Sequence, residues 1–128
     1  MKFEKFNANP KNKKTGDCVV RALAVALNKT WIDTYKELFE NTLKTFYSVS
    51  SKNNYKNYLQ KLNIEMQKMP KKENGKRYTI AEFVDNRADK NATYIISVAN
   101  HLTVVKQGVL IDTWDCSKKS IGNYWKIN

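Results

Sequence analysis

Residues 15–23, Thr-Gly-Asp-Cys-Val-Val-Arg-Ala-Leu, place a cysteine where a glycine-containing turn meets an apolar helix. The predicted helix runs from Cys18 to about Leu27 and is polar only at Arg21. A helix that is apolar nearly all round is a buried one, so we expect it at the centre of the molecule. A thiol at a helix start faces unpaired N–H groups and the positive end of the helix dipole, which lower its pKa. Cys18 is therefore our first candidate nucleophile.

A nucleophilic thiol needs a base, and His101 is the only histidine in the chain. The residues that follow it predict a hairpin, because two runs rich in β-branched residues, 102–106 and 109–113, flank Gln107 and Gly108. His101 stands directly before the first of these strands. A Cys/His enzyme built from this chain can therefore use only this imidazole.

The hairpin also suggests a partner for the imidazole. A two-residue turn pairs Lys106 with Val109 and puts five residues on one face of the ribbon: His101, Thr103, Leu110, Asp112 and Trp114. Asp112 becomes the diagonal neighbour of His101, within side-chain reach. A carboxylate there can hold one ring nitrogen and leave the other for the thiol. The alternative is an aspartate that only ends a strand, and a turn one residue longer would move Asp112 to the other face.

Structural interpretations of these residues stay open. A cysteine among valines can simply be part of the core, and a lone histidine beside a strand is more often structural than catalytic. We expect Asp17 to cap the helix with its side chain, although its charge opposes thiolate formation. We interpret Cys116, in a Trp-Asp-Cys-Ser turn without a second histidine, as a passive thiol.

The rest of the chain predicts helices followed by strands. Thr30 opens a second helix, a third follows a Ser-rich break at 48–51, and Thr79 with Glu82 forms a capping box for a short fourth. The aromatic residues of the second helix are expected in the core. The predicted strands are 94–98, 102–106, 109–113 and 121–127, with a further short strand suggested at 64–67. We therefore predict one α+β domain spanning 1–128, with N-terminal helices packed on a C-terminal antiparallel sheet.

The order of a cysteine at a helix start, a histidine opening a strand and an aspartate on the next strand resembles the papain-like cysteine peptidases. It is most similar to their compact bacteriocin-leader-processing branch. It is also similar to small phage proteins with a Gly-Asp-Cys-Val-Val-Arg-Ala start, here 16–22, and an Asp-Thr-Trp-Asp near the end, here 112–115. The resemblance implies a papain-like fold whose central helix starts at the nucleophile.

The resemblance also implies roles for individual residues. Cys18 would be the nucleophile, His101 the general base and acid, and Asp112 the residue that orients the imidazole. The family has a glutamine six positions before its cysteine as a donor to the oxyanion hole, and this chain has Asn12 there. The amide is kept but is one methylene shorter, so it reaches the oxyanion only if the loop moves inward. A solvated loop residue is an equally good interpretation of Asn12.

Charge raises a different class of function. The 128 residues include 23 lysines and arginines and 12 aspartates and glutamates, a net charge of +11. Such an excess can attract nucleic acid, but the lysines are spread along the chain and no helix has a basic recognition face, so we do not favour nucleic acid as the partner. Two cysteines and one histidine lack the spacing of zinc motifs, and we expect neither a metal nor a cofactor. We find no signal peptide or membrane segment, and expect a cytoplasmic protein, in the host cytoplasm if phage-encoded.

These observations predict a thiol-dependent amide hydrolase or acyl transferase acting on a peptide or protein through Cys18, His101 and Asp112. The alternative is a catalytically inactive papain-like phage accessory protein that binds a host protein or an acidic macromolecule. The sequence leaves the choice between peptidase, deamidase and transferase open, together with the oligomeric state.

Overall fold

The computed structural model describes residues 1–127, which form four helices and five strands. The helices are α1 (Cys18–Ala26), α2 (Trp31–Thr45), α3 (Lys52–Lys61) and α4 (Ile80–Asn86). The strands are β1 (Lys2–Lys5), β2 (Thr93–Val98), β3 (His101–Lys106), β4 (Val109–Asp112) and β5 (Tyr124–Ile127). They form one sheet in the order β1-β4-β3-β2-β5. The predicted α+β class is confirmed. The stretch 64–67 is no strand and makes only an isolated bridge, from Gln67 to Tyr124.

The sheet is mixed, so the prediction of a purely antiparallel sheet is wrong. Strands β2 to β5 pair antiparallel as expected, but β1 runs parallel to β4 with Lys5 opposite Asp112. The N–H of Phe6 continues this pairing by donating to the carbonyl of Asp112 at 2.8 Å. The four residues of β1 are all exposed, and their sequence has no apolar run that marks a strand. Their strand conformation depends on pairing with a segment from the other end of the chain.

The hairpin of β3 and β4 has the predicted register, which starts with Lys106 opposite Val109. Gln107 and Gly108 between them both have positive φ, 50° and 78°, as a type I′ turn requires. Glycine adopts this conformation without steric cost, which fixes the turn at two residues. Asp112 therefore lies on the face of the ribbon that the sequence predicts.

Three helices begin behind hydroxyl side chains that accept a hydrogen bond from the first turn, at Thr30, Ser51 and Thr79. The capping box predicted at Thr79 is present, because Glu82 accepts the N–H of Thr79 at 3.0 Å. Helix α1 differs, because Asp17 at its N-cap position makes no side-chain capping bond. This expectation for Asp17 is wrong, and the carboxylate has other partners.

Helices cover both faces of the sheet. One core cluster joins α1, α2 and α3 to the sheet through Leu23, Leu38, Leu59 and Trp125, while α4 packs on the other face through Phe83 and neighbouring side chains. Helix α1 is buried along most of its length, as its composition predicts. Cys18, the candidate nucleophile, is therefore the first residue of a helix that packs tightly into the core.

The aromatic side chains of α2 lie mainly on the surface and not in the core as expected. Tyr35 is 37% exposed and Phe39 45% exposed, while Leu38 is fully buried. Trp31, Tyr35 and Phe39 stack in sequence, with ring centroids 5.4 and 6.5 Å apart. Helical spacing identifies an apolar face but not whether another element covers it. Here Trp31 is partly buried against the core, while Tyr35 and Phe39 stay exposed. No helix in the described part of the chain is both long and apolar enough to cross a bilayer.

Candidate active site

Cys18 and His101 begin α1 and β3, and their side chains meet at one end of the sheet. The thiol is half-buried, and the imidazole is 10% exposed. Both side chains line one cleft, and the imidazole and the backbone of Leu102 lie close enough to lower the pKa of the thiol. The structure thus brings together the two residues whose pairing the sequence predicts.

Asp112 holds the far side of the imidazole. Its Oδ2 lies 2.7 Å from Nε2 of His101 and accepts a hydrogen bond from Oγ1 of Thr103 at 2.6 Å. Its Oδ1 accepts the N–H of Thr113 at 2.6 Å. Because Nε2 faces Asp112, Nδ1 is the ring nitrogen left for Cys18. The carboxylate therefore fixes the ring in the orientation that thiol activation needs.

The surroundings of Cys18 favour its thiolate. Burial raises the pKa of the thiol, but hydrogen bonds from His101 and Leu102 and the charges of His101 and Arg21 lower it. The net pKa of Cys18 lies below the ordinary value of 9.0. The reactive form is therefore more populated at neutral pH than in a free cysteine.

The pKa of His101 moves in the opposite direction. Burial lowers it, whereas hydrogen bonds to Asp112, Cys116 and Cys18 raise it, and the net pKa lies above the ordinary 6.5. For Asp112, burial raises the pKa, but hydrogen bonds from His101 and Thr103 bring it below 3.8. These opposite shifts favour a thiolate–imidazolium pair supported by a carboxylate.

Asp17 anchors the approach to the site and does not cap α1. The carboxylate is 5% exposed and accepts hydrogen bonds from Nδ2 of Asn9 at 3.2 Å and Nε1 of Trp31 at 2.8 Å. It also pairs with the guanidinium of Arg21. Burial raises the pKa of Asp17, but these contacts lower it below its ordinary value. One carboxylate thus ties the loop before α1 to both α1 and α2.

Arg21 connects this anchor to the triad, a role that sequence reasoning missed. One guanidinium nitrogen pairs with Asp17, and the other lies 3.8 Å from Oδ1 of Asp112. The arginine is one turn after Cys18, and its charge helps to lower the pKa of the thiol. The signal was present in the sequence, because Arg21 is the one polar residue of an otherwise apolar helix.

Cys116 also lies beside the site, which the sequence did not indicate. Its thiol is buried, and Sγ lies 3.9 Å from Oδ2 of Asp112. The metal-ligating atoms of His101, Asp112 and Cys116 all lie within 4.8 Å of one another. However, Nε2 of His101 and Oδ2 of Asp112 are only 2.7 Å apart. Two atoms that both bind one zinc ion, each about 2.0–2.3 Å from the metal, lie farther from one another than this. The arrangement fits a proton-sharing pair better than a zinc site.

Asn12 lies on the rim of the same cleft as Cys18 and His101. Its backbone has a positive φ of 53°, and its N–H donates to the carbonyl of Asn9 at 3.0 Å. Its side chain is exposed and makes no hydrogen bond within residues 1–127. Asn12 thus lines the same cleft as Cys18, and its role as an oxyanion donor stays a prediction.

The cleft is open and has a volume of about 1090 Å³. Trp114 stands beside the imidazole with ring centroids 5.1 Å apart, and its side chain is 42% exposed. The hairpin register had placed Trp114 on the same face as His101, so this contact follows from the sequence. Cys18 and His101 therefore face open space on one side, while Trp114 lies against the imidazole.

Comparison with known proteins identifies no relative: no family model, curated protein or solved structure matches the chain. The site must therefore be interpreted from its own geometry.

Thr103 offers a test of the support around Asp112. Replacing it with valine keeps the shape but removes the hydroxyl that donates to Oδ2. We expect the free energy of unfolding to fall by about 1–2 kcal/mol, because a buried carboxylate loses a hydrogen-bond donor. Urea denaturation measures this loss. Thr113→Val serves as the control, since its hydroxyl is 3.4 Å from Oδ1 and the backbone N–H remains. Equal effects of the two substitutions would contradict this interpretation of Thr103.

Proposed function

We propose that the protein is a thiol-dependent amide hydrolase or acyl transferase with Cys18 as nucleophile. The observation that carries the proposal is the grouping of Cys18, His101 and Asp112 at an open cleft, where Asp112 binds the imidazole and the imidazole lowers the pKa of the thiol. Groups with strongly shifted pKa values that face a cleft are enriched at catalytic sites, and a low thiol pKa beside an imidazole is typical of cysteine nucleophiles.

The geometry supports a two-step reaction. The thiolate of Cys18 attacks the carbonyl carbon of an amide, and the imidazolium of His101 gives its proton to the nitrogen as the C–N bond breaks. This step releases an amine and leaves a thioester on Cys18. In the second step water or an acceptor amine attacks the thioester, and His101 takes a proton from the attacking molecule. The products are a free acid or a new amide, and the thiol is regenerated.

The oxyanion of each step needs hydrogen-bond donors. The first intrahelical bond of α1 runs from the N–H of Arg21 to the carbonyl of Asp17. The N–H groups of Cys18, Val19 and Val20 therefore have no acceptor within the helix. We propose the N–H of Cys18 as one donor and the amide of Asn12 as the second, after inward movement of its loop.

The order of these elements also supports a papain-like fold as the finer description. A buried helix starts at the nucleophile, a strand starts at the base, and the next strand ends at the orienting carboxylate. On this proposal the substrate is a peptide or protein, and the protein acts in the cytoplasm.

Selective labelling tests the proposal without a known substrate. We expect iodoacetamide to modify Cys18 near pH 7 at least about tenfold faster than a free cysteine, because its thiolate is already populated. Peptide mapping by mass spectrometry measures the rate at each cysteine. Cys116 is the internal control, since its thiol is buried and makes contact with Asp112. If Cys18 reacts no faster than free cysteine, the catalytic proposal fails and a non-catalytic binding protein becomes the better interpretation.

A further inference from the structure

The walls of the cleft at the candidate active site are basic and neutral. Lys5, Lys13 and Lys14 contribute to them, and Arg21 lies near the thiol. No aspartate or glutamate within residues 1–127 lines this cleft. Apart from the Cys18–His101 pair, the other polar lining residues are neutral, and include the three asparagines Asn7, Asn12 and Asn100.

The three lysines of the cleft keep their charges uncompensated. Within residues 1–127 the lysine ion pairs lie elsewhere: Lys29–Glu37, Lys72–Glu82 and Lys126–Asp89. Arg21, by contrast, is neutralised by Asp17 and Asp112. A cleft with free ammonium groups and no carboxylate in its walls concentrates anions from solution.

The loop that carries two of these lysines is held at both ends. Asn9, which is buried, accepts the N–H of Lys11 at 2.9 Å and donates to Asp17 at 3.2 Å. The segment 11–16 is therefore fastened at its start to the residue that precedes Cys18. The ends of the segment that carries Lys13 and Lys14 are thus held beside the nucleophile, which favours recognition of a defined partner over diffuse attraction.

We propose that this cleft binds an acidic peptide, so that aspartate or glutamate side chains flank the amide that Cys18 attacks. The inference rests on the proposed function and adds a substrate class to it. A thiolate–imidazolium pair reacts with carbonyl carbon, which an acidic peptide presents next to its carboxylates. The asparagine side chains of the cleft are suited to hydrogen bonds with the backbone of such a peptide. Nucleic acid shares the negative charge but offers no amide in its backbone.

A pair of peptide probes tests the substrate class. Two tetrapeptide vinyl sulfones, identical except that one has two glutamates and the other two lysines, are reacted with the full chain. We expect the glutamate probe to label Cys18 at least about tenfold faster at about 20 mM salt. The preference should fall several-fold at about 500 mM salt, because ions screen exposed charges. Intact mass and peptide mapping give the second-order rate constants.

Charge-reversal variants locate the effect. Lys13→Glu with Lys14→Glu should abolish the preference for the glutamate probe. The matched control is Lys71→Glu with Lys76→Glu, the same charge change in exposed positions of the loop that bonds to β5 at the other edge of the sheet. This control should keep the preference. Each rate is divided by the iodoacetamide rate of the same variant, which removes changes in thiol reactivity.

The outcomes separate the two proposals. If iodoacetamide reacts slowly with Cys18 and both probes are inert, the proposed function fails. If iodoacetamide reacts fast but the two probes label equally, or the lysine probe labels faster, the acidic substrate class is overturned and the proposed function stands. If the cleft variant does not fold, which circular dichroism shows, the salt dependence of the unmodified chain decides by itself: a salt-independent ratio overturns the inference.

Discussion

Replacing His101 with alanine should slow the alkylation of Cys18 by about 30-fold near pH 6.5. The imidazole supplies a hydrogen bond and a positive charge that lower the pKa of the thiol, and burial raises that pKa once they are gone. The thiolate then becomes a minor species at this pH, although the higher basicity of the remaining thiolate offsets part of the loss. Any amide cleavage should fall by at least about 100-fold, because the general acid and base is removed.

A pH series of iodoacetamide rates measures this effect. In the unmodified chain the rate should rise at a pH below the ordinary thiol value of 9.0, since the pKa of Cys18 is lowered. In the His101→Ala variant the rise should move to higher pH, because the hydrogen bond and the charge of the imidazole are lost. Lys118→Ala, a change at an exposed position, should give the same pH profile of the alkylation rate as the unmodified chain. Superimposable profiles for the unmodified chain and the His101 variant would contradict the pairing of Cys18 with His101.

Replacing Asp17 with alanine should lower the free energy of unfolding by about 3–5 kcal/mol, the typical loss when one partner of a buried ion pair is removed. The substitution leaves Arg21, Trp31 and Asn9 without the oxygen atoms that they contact. It also removes the contacts that tie the loop before α1 to α1 and α2.

Urea denaturation measures the stability of this variant. Asp33→Ala is the control, because Asp33 is exposed and a surface substitution changes stability by about 0.5 kcal/mol or less. The pKa of Asp17 is lowered in the folded state, so its contribution is present above the ordinary value of 3.8 and is lost as the pH falls through the folded pKa. The difference between the unmodified chain and the variant should therefore shrink in acid. A loss below about 1 kcal/mol at neutral pH would show that Asp17 is not an anchor.

Local patterns explain which parts of the site could be predicted. The alternation of a strand and the positive φ of Gln107 and Gly108 fix the hairpin register, and this register decides whether Asp112 can reach His101. The apolar composition of α1 predicts its burial. A single histidine leaves one choice of base. Each of these inferences needs only a few neighbouring residues.

The parts that could not be predicted depend on contacts between distant segments. The strand β1 pairs with β4, and Asp17 reaches across to Trp31 and Asn9 instead of bonding to its own helix. The position of Cys116 against Asp112 depends on how the chain turns after β4. Exposure of Tyr35 depends on the absence of a covering element, which helical periodicity does not encode.

Cys18 lies far from His101 and Asp112 along the chain, which has a consequence while the protein is still being synthesised on the ribosome. Synthesis runs from the N-terminus, so Cys18 is made early, whereas β3 and β4 with His101 and Asp112 are made late. The core that holds α1 against the sheet also includes Trp125 of β5. A nascent chain therefore carries Cys18 as an ordinary thiol until these strands are added. The order of synthesis therefore separates the appearance of Cys18 from that of the imidazole that lowers its pKa.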